Sequence, residues 1–201
     1  MEDVIDFDNI KKKNPYLILN KEKNQITGEI HIECLCRDEF IKNKYEIKIV
    51  NLTGHVPSVY ETGGKIVKEY HHLYSDGRLC LATDLEQELF LKDHQMSEWF
   101  EEYVKKFFVS YDFYMKYQVF PFGELSHGNE GVYEFVAELF NVNDVATAKR
   151  FSEIICTHNY RGHLECPCGS GKKIRKCHGE EILKIINSKD IEIWKRNFNG
   201  R

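Results

Sequence analysis

Over the first fifty positions, apolar residues recur mostly at every second place, the spacing of strands with one face buried. Tyr16-Leu17-Ile18-Leu19 is a short apolar run, and Ile26 to Cys36 alternates with Ile30, Ile32, Cys34 and Cys36 on one face. Tyr45-Glu46-Ile47-Lys48-Ile49-Val50 alternates again, so the polar stretch Arg37 to Lys44 reads as the connection between two strands. Asn24 and Gly28 fall near turn positions. The simplest arrangement is an antiparallel meander of three strands. From Asn51 to Asp84 the periodicity disappears, and Gly54, Pro57, Gly63, Gly64 and Gly77 stand among His55, His71, His72 and several aromatics. Long irregular segments inside compact domains usually carry function, so the active site is expected here.

Helical spacing then takes over. Trp99, Tyr103, Phe107, Ser110, Tyr114 and Tyr117 recur at threes and fours, which predicts a helix from Met96 to Tyr117. Asp93 or Ser97 is the expected cap, and Pro121 and Gly123 the expected stop. Helical patterns resume over Val132 to Phe140 and Asp144 to Cys156, and Glu180 to Phe198 reads as one last helix. The fold class expected is α+β: an antiparallel β-meander with C-terminal helices, followed by a small module around the cysteines at 166, 168 and 177. Residues 1–143 are expected to form the main domain, and residues 144–201 a helical segment with that module.

Composition narrows the setting. Of 201 residues, 42% are hydrophobic and 30% charged, which suits one packed core with an appendage and excludes wholesale disorder. No apolar run reaches the length of a bilayer crossing, and Met1-Glu2-Asp3-Val4-Ile5-Asp6 is acidic rather than signal-like. A cytoplasmic protein without membrane contact is expected. There, seven cysteines read as metal ligands, reactive thiols or small hydrophobes, not as disulfides. Cys34, Cys36 and Cys156 are assigned to the core. The net charge of −4 is uneven: from Asp144 onward there are 12 Lys and Arg against 7 Asp and Glu, leaving −9 for the rest. This basic tail reads as a solvated face, with protein the expected partner and nucleic acid not expected.

Cys166-Pro167-Cys168-Gly169-Ser170-Gly171, followed by Cys177-His178-Gly179, has the composition of a metal site. Three thiolates and an imidazole are the ligand set of a closed tetrahedral Zn²⁺ centre. Two cysteines one residue apart can share a tight knuckle, and Gly169 and Gly171 let backbone N–H groups approach the sulfurs. The cations from Lys172 to Lys176 offset the thiolate charge. These residues closely resemble the SEC-C motif of the SecA translocase tail. That resemblance covers about 14 residues and implies a structural Zn²⁺ site for partner docking, with Cys166, Cys168, Cys177 and His178 as ligands.

A second resemblance lies in Tyr70-His71-His72-Leu73-Tyr74-Ser75-Asp76-Gly77-Arg78-Leu79-Cys80-Leu81. It is similar to the active-site segment of ubiquitin-conjugating enzymes, in which a His-Pro-Asn triplet precedes a glycine turn and then an aliphatic residue, the catalytic cysteine and leucine. Gly77-Arg78-Leu79-Cys80-Leu81 reproduces the later part with the same spacing. The upstream order of meander and proline segment (Val56-Pro57-Ser58-Val59) also fits, so the likeness in topology runs from Asn14 to Phe140. It implies a ubiquitin-conjugating-enzyme-like domain with Cys80 as nucleophile, and it sets the family triplet on Tyr70, His71 and His72. His72 thus occupies the place of the asparagine that donates to the oxyanion, and a histidine can donate there and also take up a proton. His71, His72 and Arg78 lie close enough in sequence to hold down a thiol pKa. Asp76-Gly77 makes a turn just before the thiol, and Asp76 or Asp84 is a candidate for orienting an incoming lysine.

The run Phe120-Pro121-Phe122-Gly123-Glu124, with Ser126-His127-Gly128 and Gly131, resembles prokaryotic members of that superfamily. Such proteins occur in antiviral operons that signal through cyclic oligonucleotides. The resemblance implies acyl transfer through a cysteine thioester, with an acyl donor protein and an acceptor such as a cGAS-like nucleotidyltransferase as partners. His127 is a candidate for reaching the thiol site. The chain has no Walker-type glycine loop or dinucleotide fingerprint, so either a separate enzyme activates the donor or the protein exchanges thioesters and amides without one. Two alternatives stay open: an inert adaptor that binds through the same fold and zinc module, and a cysteine hydrolase using Cys80 with His72 or His127.

Overall fold

The computed structural model describes residues 6–123, 126 and 128–198; His127 and Glu124 lie outside the described residues. The chain divides into two compact units, residues 1–82 with 90–124, and residues 83–89 with 125–201.

The first unit is built on a four-stranded antiparallel sheet in the order β1-β2-β3-β4, namely Leu17–Asn20, Gln25–Cys36, Glu39–Val50 and Ser58–Glu61. The α+β class is therefore as expected, with one strand more. The expected connection Arg37 to Lys44 is mostly strand: β2 and β3 pair from Gln25↔Val50 to Cys36↔Glu39. Only Arg37 and Asp38 turn, both at positive φ (47° and 64°), the geometry of the tight hairpin turns that match strand twist. The polar residues hid this strand because Lys42 and Lys44 face water while Ile41 and Tyr45 alternate inward. Gly28 takes φ of 136°, and a Cβ there would stand 2.2 Å from the Tyr16 carbonyl oxygen, so only glycine lets β1 approach.

Helix α1 (Phe7–Lys13) precedes the sheet, and its Ile10 is 2% exposed. Met96 to Tyr117 is helical as predicted, but in three pieces: α3 (Met96–Trp99), a π-helical stretch (Phe100–Lys105) and α4 (Lys106–Tyr117). The expected caps do not form. Gln95 occupies the N-cap, and its N–H donates to Glu98 Oε2 at 2.8 Å. Ser97 instead donates to Asp6. The helix stops at Gln118, left-handed at φ 56°, three residues before Pro121. The core face includes Tyr111 rather than Ser110, because the wider π turn rotates the stripe that an even 3.6-residue period predicts. Phe107, Phe108 and Tyr111 bury against the inner face of the sheet, where Tyr45, Ile47 and Ile49 are each 1% exposed. Each such side chain contributes about 1.5–3 kcal/mol by leaving water.

The second unit gathers α5 (Gly128–Leu139), α6 (Val145–Cys156), α7 (Gly179–Ile186) and α8 (Asp190–Phe198) around Phe151, Ile155, Ile182 and Trp194. Asp144 caps α6, accepting from Thr147 N at 2.8 Å. The single last helix expected from Glu180 to Phe198 is two. Asn187 ends α7, and the Ser188 hydroxyl accepts from Asp190 N at 3.1 Å to start α8. Helix α2 (Asp84–Asp93) supplies Leu85, fully buried in this core.

Candidate thiol site and metal centre

The irregular segment before Cys80 is organised by backbone hydrogen bonds. Leu79 N donates to Val59 O of β4 at 2.8 Å, and Tyr60 bridges Arg78. Leu73 pairs antiparallel with Leu79, flanked by Tyr74 N to Arg78 O (2.9 Å) and Cys80 N to His72 O (2.8 Å). This register sets His72 directly opposite Cys80, and opposed residues of an antiparallel pair share a face. Leu79 is 3% exposed and belongs to the core, so its neighbour Cys80 lies on the other face, half-buried. The turn needs Gly77, whose φ of 83° is left-handed while its Cβ would meet open space. Asp76 Oδ1 accepts from Arg78 N at 3.0 Å and so closes that turn.

The predicted site residues are therefore brought together unequally. His72 and Cys80 are partners in register. His71 is exposed on the preceding turn, edge-on to Tyr114 at 6.4 Å. Asp76 sits at the hairpin tip, and the Arg78 guanidinium lies over the Tyr74 ring at 4.3 Å. Asp84 opens α2, which Thr83 caps by accepting from Glu86 N at 3.2 Å. Sequence reasoning missed the aromatic surround. Tyr70, 4% exposed, meets Tyr111 edge-on at 4.9 Å and Phe107 at 5.7 Å. Phe120 stacks on Tyr114 at 4.5 Å and stands edge-on to His72 at 5.1 Å. The density of aromatics between residues 70 and 120 was the available signal.

The second constellation is the cysteine knuckle. The ligand atoms of Cys166, Cys168, Cys177 and His178 all lie within 4.8 Å of one another. Cys166 Sγ lies 3.3 Å from His178 Nδ1, Cys177 Sγ lies 3.4 Å from His178 Nδ1, and Cys168 Sγ lies 3.5 Å from Cys177 Sγ. A tetrahedron with metal–sulfur bonds of about 2.3 Å and a metal–nitrogen bond of about 2.0 Å has edges of roughly 3.5–3.8 Å. The donors thus fit a single metal ion. His178 Nε2 donates to Phe140 O at 3.1 Å, which leaves Nδ1 free of its proton and aimed at the sulfurs.

Electrostatics within the knuckle are opposed. Burial pushes the Cys166 thiol up to about 11, although N–H groups of Cys168 and His178 donate to its sulfur. Burial also raises Cys168, but bonds from the Ser170 hydroxyl and amide, and from the two other thiols, outweigh it and bring it down to about 6. A cation at the centre would relieve the mutual repulsion of the thiolates. Glu165 and Lys173 bridge across the knuckle, and Thr147 Oγ1 donates to Pro167 O at 3.2 Å, tying it to α6. Elsewhere, burial raises the Cys156 thiol to about 11, consistent with a packing role.

The profile of the type II CBASS E2 proteins matches residues 7–127, and the chain belongs to that family. It is accordingly an E2-like protein of an antiphage defence system, with protein partners. No curated protein and no solved structure gives a match. No helix among the described residues is long and apolar enough to cross a membrane.

Proposed function

We propose that the chain is a cysteine-dependent acyl transferase of the ubiquitin-conjugating kind, modifying a protein partner such as a cGAS-like nucleotidyltransferase. The observation that carries the reading is the hairpin register, which seats a half-buried thiol opposite His72 in a family of E2-like proteins. In the first step the Cys80 thiolate attacks an activated carboxy-terminal carbonyl of a donor protein, and the activating group departs. In the second, an acceptor amine attacks the thioester, the C–S bond breaks, and the thiolate is restored as the amine loses its proton. His72 donates a hydrogen bond to the oxyanion and, unlike an asparagine, can also take that proton. His71 stands at the site's edge, and Asp76 holds the turn. The activated donor comes either from a separate enzyme or from exchange with an existing thioester or amide.

The knuckle of Cys166, Cys168, Cys177 and His178 holds Zn²⁺ in a structural role, since four protein donors leave no open position. Its exposed Lys172, Lys173, Arg175 and Lys176 suit contact with an acidic protein surface.

Intact-protein mass spectrometry of Cys80→Ser, co-expressed with its genomic neighbours, tests the transfer reading. Serine converts a labile thioester to an oxyester that survives purification. An adduct of protein mass is expected. Its absence, together with no reducible adduct on the unaltered chain, would leave the fold as an adaptor.

A further inference from the structure

The segment Thr62 to Leu73 contains no strand, yet it must deliver His72 to one position opposite Cys80. The Leu73–Leu79 bridge fixes only its end, so the rest of the segment needs another hold. A continuous relay of contacts provides it, beginning on helix α4. Tyr111, 5% exposed, donates its hydroxyl to Lys65 O at 2.8 Å and accepts from Val67 N at 3.2 Å. Val67 O then accepts from Tyr70 N (3.1 Å), Tyr70 O accepts from Leu73 N (3.1 Å), and His72 O accepts from Cys80 N (2.8 Å). The Tyr111 ring supports the same segment by meeting Tyr70 edge-on at 4.9 Å.

We propose that Tyr111 is a positioning residue for the thiol site: its hydroxyl clamps the Lys65–Val67 backbone, and its ring seats Tyr70, so that the following turn holds His72 in register with Cys80. This rests on the reading of Cys80 as the reactive thiol. The clamp is side chain to backbone at both ends, and a hydroxyl is the only part of Tyr111 able to serve a carbonyl and an amide at once. Lys65 and Val67 are themselves exposed, so water can replace the hydroxyl energetically but not geometrically. Loss of the hydroxyl should therefore loosen the segment without unfolding the unit.

Tyr111→Phe retains the ring and removes only the clamp. Tyr114→Phe is the matched control, because the contribution of Tyr114 here is its ring, stacked on Phe120. In the full chain, amide hydrogen exchange at Val67, Tyr70 and Leu73 should accelerate at least tenfold in Tyr111→Phe, with β2 and β3 unchanged. The pH profile of Cys80 alkylation by iodoacetamide, followed on its own peptide, should shift in Tyr111→Phe and not in Tyr114→Phe. A merely structural tyrosine would leave that profile in place. Unaltered exchange, or altered exchange with an unaltered profile, overturns the proposal. Thioester formation on the unaltered chain is scored separately: if no thioester ever forms while both changes appear, the clamp stands and the transfer reading fails.

Discussion

At Cys80 and His72 one backbone bond, Cys80 N to His72 O, closes the pair, and the contacts of Tyr111 and Tyr70 hold the segment that leads to it. His72→Asn restores the residue type of the resembled family at this position while keeping a donor. Thioester formation is expected to persist in that variant, and amine discharge to lose the proton-accepting contribution, showing as a steeper dependence on pH. Single-turnover discharge to free lysine measures this; an identical profile would remove His72 from the proton step. In the knuckle, Cys177→Ser should abolish one metal equivalent per chain by elemental analysis and lower the unfolding temperature of the full chain. Metal should also be lost as pH falls, because thiolates and the His178 Nδ1 are protonated in competition with it. The cluster of Cys166, Cys168, Cys177 and His178 was legible in the sequence, since cysteine pairs at such intervals have few other uses. Phe140 was not, because the carbonyl that fixes the His178 tautomer lies 38 positions upstream and any residue could supply it.

Elements were legible where one face is buried and the other wet. β2 and the 96–117 helix meet that condition, and their extents follow from period alone. Helix α2 does not, since its buried residues are Leu85, Gln87 and Glu88, two of them polar. Strand β4 is four residues long and follows a proline, too short to show an alternation. The π turn was invisible because a period shift of one residue looks like noise in a stripe of aromatics. Helix α6 offers a test at this scale. Hydrogen bonds from Thr147, side chain first and then backbone, hold the Asp144 carboxyl below its ordinary value of 3.8. A carboxyl depressed on folding stabilises above its unfolded pKa, and that stabilisation is lost as pH falls through the lower, folded value. Asp144→Ala should therefore lower the unfolding temperature at pH 7, and the gap to the unaltered chain should close toward pH 3. A gap that stays constant would mean the cap contributes nothing through its charge.

Over the whole molecule, each unit owns a hydrophobic core, and the second owns a buried carboxylate as well. Glu88, 8% exposed, is held by Arg196, and Asn197 Nδ2 donates to its Oε1 at 3.0 Å. Glu88→Ala should cost about 2 kcal/mol in denaturant unfolding by leaving Arg196 and Asn197 without their acceptor. A Glu88→Ala, Arg196→Ala pair should recover part of that, and strict additivity would show the two are uncoupled. Glu88 belongs to the seven residues 83–89 that the second unit takes from the middle of the chain. Leu85, five positions after Cys80, shares its core with Ile174 and Cys166 of the metal knuckle. The C-terminal part is consequently not a detachable tag. A recombination event that exchanged it for a foreign tail would leave Leu85 and Glu88 without the core and the partners they pack against, just downstream of the thiol. A new tail would have to bring a surface that fits residues 83–89.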